Sequence, residues 1–117
     1  VHLIAGAAVL AAGERMGLAG ETLFKVISAS SGQSWVTDDR LPRALAGDFE
    51  PRAHAHILTK DVTLGLEMLK NAGEPFPLGD IALETFRAAL AAGWRDKDDC
   101  VVLEVARGKA GKSPTHR

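Results

Sequence analysis

The chain has 117 residues, 46% of them hydrophobic and 25% charged, which allows one soluble domain with a modest hydrophobic core. Its formal net charge of −1 at pH 7 argues against nucleic acid or a membrane surface as a partner. Its single cysteine, Cys100, excludes an intramolecular disulfide and is typical of a cytoplasmic protein.

Two helices are predicted at the start of the chain. Residues 2–16 have helical apolar periodicity, and Gly6 and Gly13 lie on nearly the same face, where a neighbouring helix could approach closely. This apolar segment is too short to span a bilayer. A second helix is predicted over residues 22–30, with Gly32 as its end. Three of its side chains are predicted to face inward: Leu23, Val26 and Ile27.

The middle of the chain predicts two more helices. Residues 34–46 begin at a plausible N-cap, Ser34, and contain Pro42, which should kink or split the segment. A loop is expected over residues 47–55. The apolar pattern that follows it predicts a fourth helix, which ends at Gly73.

The last third of the chain predicts a fifth helix over residues 78–92 and a final short one capped by Asp98 or Asp99. The inward side chains of the fifth helix are predicted to be Ile81, Leu83, Phe86 and Leu90. Residues 108–117 form a polar tail that we expect to be disordered. No segment alternates convincingly, so the predicted fold class is all-α, a bundle of about five to six helices over residues 1–107.

A pair of charges interrupts the fourth helix. Ile57, Leu64 and Met68 recur at i, i+7 and i+11, and Asp61 falls on the same stripe with Lys60 beside it. Burying a charge is costly unless it is paired or meets a ligand. Asp61 could be the N-cap of a helix that starts one residue later, an interpretation that periodicity alone favours. Alternatively, the pair faces a cleft that binds a polar or anionic ligand.

Two other groups of polar residues are candidates for sites. Gly32, Ser34 and Trp35 stand where one helix ends and another begins, so free backbone N–H groups and hydroxyls could bind a carboxylate there. The alternative is an ordinary turn with Trp35 packed inward. His54 and His56 would share a face only on a strand, and no third ligand has suitable spacing, so no metal site is predicted.

Three segments carry a resemblance to a known family: "SSGQSW", "RLPRALAGDFEPRAHAHILTKDVTLGLE" and "GEPFPLGDIALETFRAALAAGWRDKDDCVVLEV". Together they resemble the C-terminal helical domain of the β-hydroxyacid dehydrogenases, a fold similar to that of 6-phosphogluconate dehydrogenase. The family includes 3-hydroxyisobutyrate, tartronate-semialdehyde and L-threonate dehydrogenases, and the third branch is the most similar. The resemblance covers residues 1–106.

The resemblance implies a partner domain. In this family an N-terminal Rossmann domain binds NAD or NADP, and a small hydroxy acid binds between it and the helical domain. The family's catalytic lysine lies on the connecting helix in a Lys-x-x-Asn motif. No segment of this chain matches that motif, and the resemblance places it just before Val1. We therefore expect a fragment that lacks the Rossmann domain, contains no catalytic residue, binds no cofactor tightly and is inactive alone. Family members also form homo-oligomers.

The resemblance assigns roles to four residues. Lys60 matches a lysine near the nicotinamide of the cofactor, and Asp61 matches an aspartate beside the substrate, which favours the cleft interpretation. Ser34 and Trp35 match a stretch near the substrate. Ala53 stands where many relatives have a phenylalanine of the pocket wall, so the identity of the hydroxy acid stays open. The alternative function is a stand-alone helical module for dimerisation or protein interaction.

Overall fold

Six α-helices make up the computed structural model, which describes residues 1–109. They are α1 (His2–Arg15), α2 (Gly20–Ser28), α3 (Trp35–Leu45), α4 (Ala55–Asn71), α5 (Pro77–Ala91) and α6 (Val102–Ala106), with a 3-10 turn (Asp99–Val101) before α6. The extended pairing found in the described residues is one isolated antiparallel bridge between His54 and Asp98. The all-α prediction is therefore confirmed. No helix within residues 1–109 is long and apolar enough to cross a membrane.

Several helix ends follow the local chemistry of the sequence. Gly73 ends α4 in the left-handed conformation (φ 75°), which glycine adopts without steric cost. Ser34 is the N-cap of α3: its hydroxyl accepts from Thr37 N at 3.2 Å, and Thr37 Oγ1 accepts from Ser34 N at 3.3 Å. The predicted cap is confirmed, and this reciprocal pair is a capping box. Pro42 lies inside α3, which is continuous, so the predicted split does not occur and the predicted kink stays a prediction.

Helix α1 lies at the centre of the bundle and contacts α2, α3 and α6. The main core cluster contains Leu3, Ala7, Leu10, Ala11, Leu41, Ala44, Phe86, Cys100, Val102 and Leu103. A Cβ atom added at Gly6 would lie 2.5 Å from Thr37 Cγ2 of α3, and one added at Gly13 would overlap Leu23 of α2. The predicted close approach at both glycines is confirmed, although each glycine meets a different helix.

Some predictions about the inward faces were wrong. Val26 of α2 is 59% exposed and Ile81 of α5 is 56% exposed. Each residue along a helix turns about 100°, so Ile81 lies well off the stripe that begins at its neighbour Ala82. Apolar character alone did not distinguish the margin of the stripe from its centre. The second helix runs from Gly20 to Ser28, so it begins and ends two residues earlier than the predicted range of 22–30.

The end of α6 is bonded to the last turn of α1. Arg107 donates from Nε and Nη2 to the two carboxylate oxygens of Glu14 at 2.8 Å each, and from Nη1 to Glu104 at 2.7 Å. Lys109 Nζ lies 2.8 Å from the other oxygen of Glu104. These bonds hold α6 against α1. Of the tail predicted to be disordered, residues 110–117 lie outside the described residues.

Candidate functional site

The charged pair of the fourth helix lies within the helix and not at its start. Helix α4 begins at Ala55, more than a turn before Asp61, and its N-cap is His54. The interpretation of Asp61 as an N-cap is therefore wrong. The reason is a tertiary contact: Ala55 N donates to Lys97 O at 2.8 Å and His56 N donates to Arg95 O at 3.1 Å, so the loop after α5 holds the first turn of α4 in place.

The face of α4 that carries the pair is open to solvent. Lys60 and Asp61 are exposed, as are Ile57 (42%), Leu64 (48%) and Met68 (73%). We call these five residues the α4 stripe. On the opposite side, Ala55 and Thr59 are buried, while Leu58 and Val62 pack against the main core. Apolar residues thus line both sides of α4, and the charges lie on the side that no other helix of the described chain covers.

The corner before α3 is also exposed in part. Trp35 is 74% exposed, so the prediction that it packs inward as part of an ordinary turn is wrong. The Ser34 hydroxyl is half-buried and already serves the capping box. Gly32 and Ser34 line a surface cavity of about 380 Å³ together with His2, Gly6 and Ile27. The lining is largely apolar, with hydroxyl and amide groups from the corner at one end.

A second cavity, of about 330 Å³, lies between α3 and α4. Val36 and Arg40 line it from α3, and Leu58 and Val62 line it from α4, with the first residues of α1 alongside. Val36 directly follows Trp35 in α3, and Val62 directly follows Asp61 in α4. The two candidate pairs therefore lie on, or directly before, two of the helices that line this cavity, although neither pair lines it. A larger cavity of about 490 Å³, between the end of α4 and the start of α5, contains none of the predicted site residues.

A buried ion network supports the α3 wall. Arg40 donates to both oxygens of Asp99, from Nε at 3.0 Å and from Nη2 at 3.1 Å, and donates from Nη1 to Asp39 at 2.9 Å. Arg43 donates to Asp39 at 3.1 Å, and its Nη1 lies 2.8 Å from Asp98 Oδ2, an ion pair by distance whose angle does not make a hydrogen bond. Asp98 and Asp99 are 0% and 1% exposed. The network joins α3 to the 3-10 turn.

The two buried aspartates differ in their electrostatics. Burial opposes the ionisation of Asp98, but hydrogen bonds from the backbone N–H groups of Arg52, Ala53 and Cys100 outweigh it and hold its pKa below the usual range. Burial raises the pKa of Asp99, and its bonds to Arg40 offset this only in part. Asp98 caps the 3-10 turn, as one of the two predicted caps. The sequence analysis missed this network. The signal for it was the two Asp-Asp pairs, at 38–39 and 98–99, together with Arg40 and Arg43.

The remaining candidates form no site in the described residues. The rings of His54 and His56 are 5.3 Å apart, because His54 precedes the helix in extended backbone, and His56 Nε2 lies 3.6 Å from Asp96. Within residues 1–109 no group of three or more His, Cys, Asp or Glu side chains is arranged to hold a metal ion. Cys100 is fully buried in the core, and burial raises the pKa of its thiol.

Comparison with known proteins gives one family and consistent relatives. The family model described as "NAD-binding of NADP-dependent 3-hydroxyisobutyrate dehydrogenase" matches residues 1–106. The chain is 34% identical over 108 residues to the L-threonate dehydrogenase of Cupriavidus necator and 32% identical over 108 residues to that of Escherichia coli K12. In both cases the match covers 92% of this chain and 36% of the relative.

Solved structures agree with these relatives. The crystal structure of a 3-hydroxyisobutyrate dehydrogenase from Salmonella typhimurium superposes with a TM-score of 0.86 at 31% identity, covering 89% of this chain and 36% of that one. The 3-hydroxyisobutyrate dehydrogenase of Mycobacterium tuberculosis with L-serine gives a TM-score of 0.79 at 27% identity, covering 91% and 38%. The helical bundle of this chain is therefore the one found in hydroxyacid dehydrogenases.

Proposed function

Because this chain belongs to the family described as "NAD-binding of NADP-dependent 3-hydroxyisobutyrate dehydrogenase", we propose that it is the helical domain of an oxidoreductase that uses NAD or NADP. The substrate would be a small 2- or 3-hydroxy acid of the 3-hydroxyisobutyrate or L-threonate type. The chain spans 36% of the length of the L-threonate dehydrogenases that it matches. The activity is therefore proposed for a protein that also supplies a dinucleotide-binding domain.

The observation that carries this proposal is the α4 stripe. It presents Lys60 and Asp61 to solvent between exposed Ile57 and Leu64, next to a cavity between α3 and α4. A helix that exposes large apolar side chains around a charge pair has the composition of a contact surface. A dinucleotide-binding domain that covers the stripe would bring its cofactor to Lys60 and Asp61.

The residues present fit one end of such a cofactor. The exposed Lys60 ammonium could donate a hydrogen bond to the carboxamide oxygen of the nicotinamide, and the apolar side chains beside it could pack on the ring. The chain has no G-x-G-x-x-G loop for the pyrophosphate, so that group would be held by the partner domain. The bound cofactor would accept hydride from the hydroxyl-bearing carbon of the substrate. The choice between NAD and NADP also belongs to the partner domain.

The four candidate residues of this chain have positioning or electrostatic roles in the proposal. Lys60 would favour negative charge beside the cofactor. Asp61 would accept hydrogen bonds from substrate hydroxyls or orient Lys60. Ser34 and Trp35 would lie on the substrate side of the cleft, and the exposed ring of Trp35 offers an apolar surface. The base that takes the hydroxyl proton would come from outside residues 1–117, so the chain alone is expected to be inactive.

Location and assembly follow as parts of the same proposal. The single buried cysteine suits a reducing compartment, which supports a cytoplasmic protein. Exposed apolar side chains away from the α4 stripe support a homo-oligomer. They include Val9, Met16, Leu18, Val26, Leu78 and Ile81.

A domain exchange tests the proposal directly. The matching region of the Cupriavidus necator L-threonate dehydrogenase is replaced by residues 1–109 of this chain, and NAD(P)-dependent oxidation of L-threonate and 3-hydroxyisobutyrate is measured. We expect an active chimera in which Lys60→Ala and Asp61→Asn each lower kcat/KM by about tenfold or more. Glu67→Gln and Lys70→Ala, exposed charges of the same helix, are the matched controls. A folded chimera that is inactive, or equal losses in all four variants, would contradict the proposal.

The alternative, a stand-alone interaction module, would use the same exposed apolar surface on α1, α2 and α5 to bind a partner. The two functions differ in what the gene encodes before Val1. A G-x-G-x-x-G strand-loop-helix unit followed by a Lys-x-x-Asn helix would support the dehydrogenase. An unrelated upstream domain would support the module.

A further inference from the structure

Trp35 is exposed and yet held at one face. It is the first residue of α3, directly after the N-cap Ser34, and 74% of its surface is open to solvent. The guanidinium carbon of Arg40 lies 5.8 Å from the centroid of the indole ring. This distance is within the range of a cation–π contact. An exposed tryptophan would otherwise change rotamer freely, so this contact is a restraint on the ring.

Arg40 is itself immobilised by carboxylates. Two of its nitrogens bind the two oxygens of Asp99, at 3.0 and 3.1 Å, in the bidentate geometry that fixes the guanidinium plane. A third nitrogen binds Asp39 at 2.9 Å. Asp99 is 1% exposed and belongs to the 3-10 turn, whose N-cap Asp98 accepts from three backbone N–H groups. Arg40 is therefore anchored to a fully buried carboxylate, in a turn whose own N-cap is held by backbone hydrogen bonds.

The geometry argues against Arg40 as a binding site for a substrate carboxylate. Although Arg40 lines the cavity between α3 and α4, all three of its nitrogens already have carboxylate partners. Arg40 and Arg43 together face the three carboxyl groups of the network, so it has no spare positive charge. An incoming anion would meet a neutralised group beside two acids. The contact that Arg40 makes besides these bonds is with Trp35, whose ring centroid lies 5.8 Å from the guanidinium carbon.

We propose that Arg40 is a positioning residue: the bidentate Asp99–Arg40 pair holds the exposed Trp35 ring as a pre-formed wall of the substrate cleft. The restraint on the ring stands on the contacts above, whereas its use in substrate recognition rests on the proposed function. A ring that is already ordered loses little conformational entropy when a ligand packs on it. Loss of the restraint should therefore weaken substrate binding more than it slows the chemical step.

Relaxation of the indole ¹⁵N–¹H groups measures the restraint on the chain as it is. The chain has two tryptophans, so each variant shows two indole signals, and half-buried Trp94 is the internal reference. We expect a Trp35 order parameter near 0.85, the value typical of rigid groups, to fall below about 0.6 in Arg40→Met. Because this variant leaves Asp99 buried without a partner, Arg40→Met is combined with Asp99→Asn to protect the fold.

Two further variants separate the contact between Arg40 and Trp35 from a general disruption of the ion network. Arg40→Lys keeps the charge but loses the fork, so Trp35 should also become mobile. Arg43→Met disturbs the same network on the side of Asp39 and Asp98 and should leave Trp35 rigid. An unchanged Trp35 order parameter in both folded Arg40 variants overturns the proposal, as does an equal loss in Arg43→Met.

Kinetics in the chimera test whether the restrained Trp35 ring takes part in substrate recognition. Arg40→Lys should raise KM for the hydroxy acid by about fivefold or more with kcat changed by less than about twofold. If the ring becomes mobile and KM does not change, Trp35 is not in the substrate cleft, and the assignment of Trp35 in the proposed function is wrong while the restraint stands. If the ring stays rigid, the restraint itself is wrong, whatever the activity.

Discussion

Removal of the Asp98 side chain should bring the domain close to unfolding. Asp98 is 0% exposed and accepts from Arg52 N at 2.9 Å, Ala53 N at 3.1 Å and Cys100 N at 3.1 Å. It also lies 2.8 Å from Arg43 Nη1. Asp98→Ala leaves three backbone donors and part of a buried guanidinium without an acceptor.

The size of the effect follows from those contacts. Hydrogen bonds to a charged group contribute about 1.5–3 kcal/mol each, and loss of one partner of a buried pair costs about 3–5 kcal/mol. The terms overlap, and Arg43 keeps a second partner in Asp39, at 3.1 Å. We therefore expect the free energy of unfolding to fall by about 4 kcal/mol, a large part of the roughly 5–15 kcal/mol of a typical domain.

Urea unfolding followed by circular dichroism measures this loss. With a slope of about 1–3 kcal/mol per molar, the midpoint should fall by roughly 2 M. Asp96→Ala is the matched control, because Asp96 is exposed and its carboxylate lies 3.6 Å from His56 Nε2 and 3.8 Å from Arg95 Nε, which is too far for a hydrogen bond. Its midpoint should hardly move. If the two variants lose equal stability, the role assigned to the buried carboxylate is wrong.

The same residue predicts a pH dependence. A carboxyl group whose pKa is lower in the folded than in the unfolded state stabilises the fold when it is ionised. The contribution of Asp98 is therefore complete above its ordinary pKa of 3.8 and is lost as the pH falls from there towards the lower folded value. The stability difference between the wild type and Asp98→Ala should narrow as the pH decreases below 3.8. A difference that is constant between neutral and acidic pH would contradict this.

Four other predictions follow from the packing and exposure of single residues. Gly6→Ala forces a Cβ against α3 and should destabilise the domain by about 1–3 kcal/mol. Gly65→Ala, whose added Cβ has nothing within 4 Å, should stabilise the domain by up to about 1 kcal/mol. Thermal melting measures both changes. Lys60→Ala and Asp61→Asn, on the exposed α4 stripe, should each change the free energy of unfolding by less than about 0.5 kcal/mol in urea. The Cys100 thiol, buried and with a raised pKa, should react with a thiol reagent only after urea unfolds the domain. The isolated chain should show no NAD(P)-dependent oxidation of L-threonate or 3-hydroxyisobutyrate in a spectrophotometric assay.

Each of these has a contrary result. Equal melting temperatures for the two glycine variants would refute the close approach of α1 and α3. A large loss of stability in Lys60→Ala would mean that the stripe packs within the domain. Rapid labelling of native Cys100 would contradict its burial, and turnover by the chain alone would refute the proposal that its catalytic base lies elsewhere.

Local signals in the sequence were sufficient for the helices and several of their ends. The N-cap at Ser34 and the end of α4 at Gly73 are set by chemistry within a few residues, and both were predicted correctly. Gly6 and Gly13 also signalled close helix contacts, because a missing side chain on an apolar face is informative by itself. Such features depend on interactions among residues that are close in the sequence, so the sequence alone predicts them.

The α4 stripe required the tertiary structure. Periodicity showed that Ile57, Leu64 and Met68 share a face, but α4 has apolar residues on both sides, and only packing against the core decided that Leu58 and Val62 are the covered ones. The family resemblance had favoured an exposed Lys60 and Asp61. Their roles at a cofactor or substrate stay predictions.

The sequence by itself determined the helical class, the cap at Ser34, the end of α4 at Gly73 and the glycines where helices approach closely, since these follow from interactions over a few residues. Only the tertiary structure decided which faces are covered and that Arg40 meets Asp99, 59 residues further along the chain. A charge pair over that distance exists because the fold brings α3 against the 3-10 turn. The order that the pair imposes on Trp35 is therefore a property of the packed bundle.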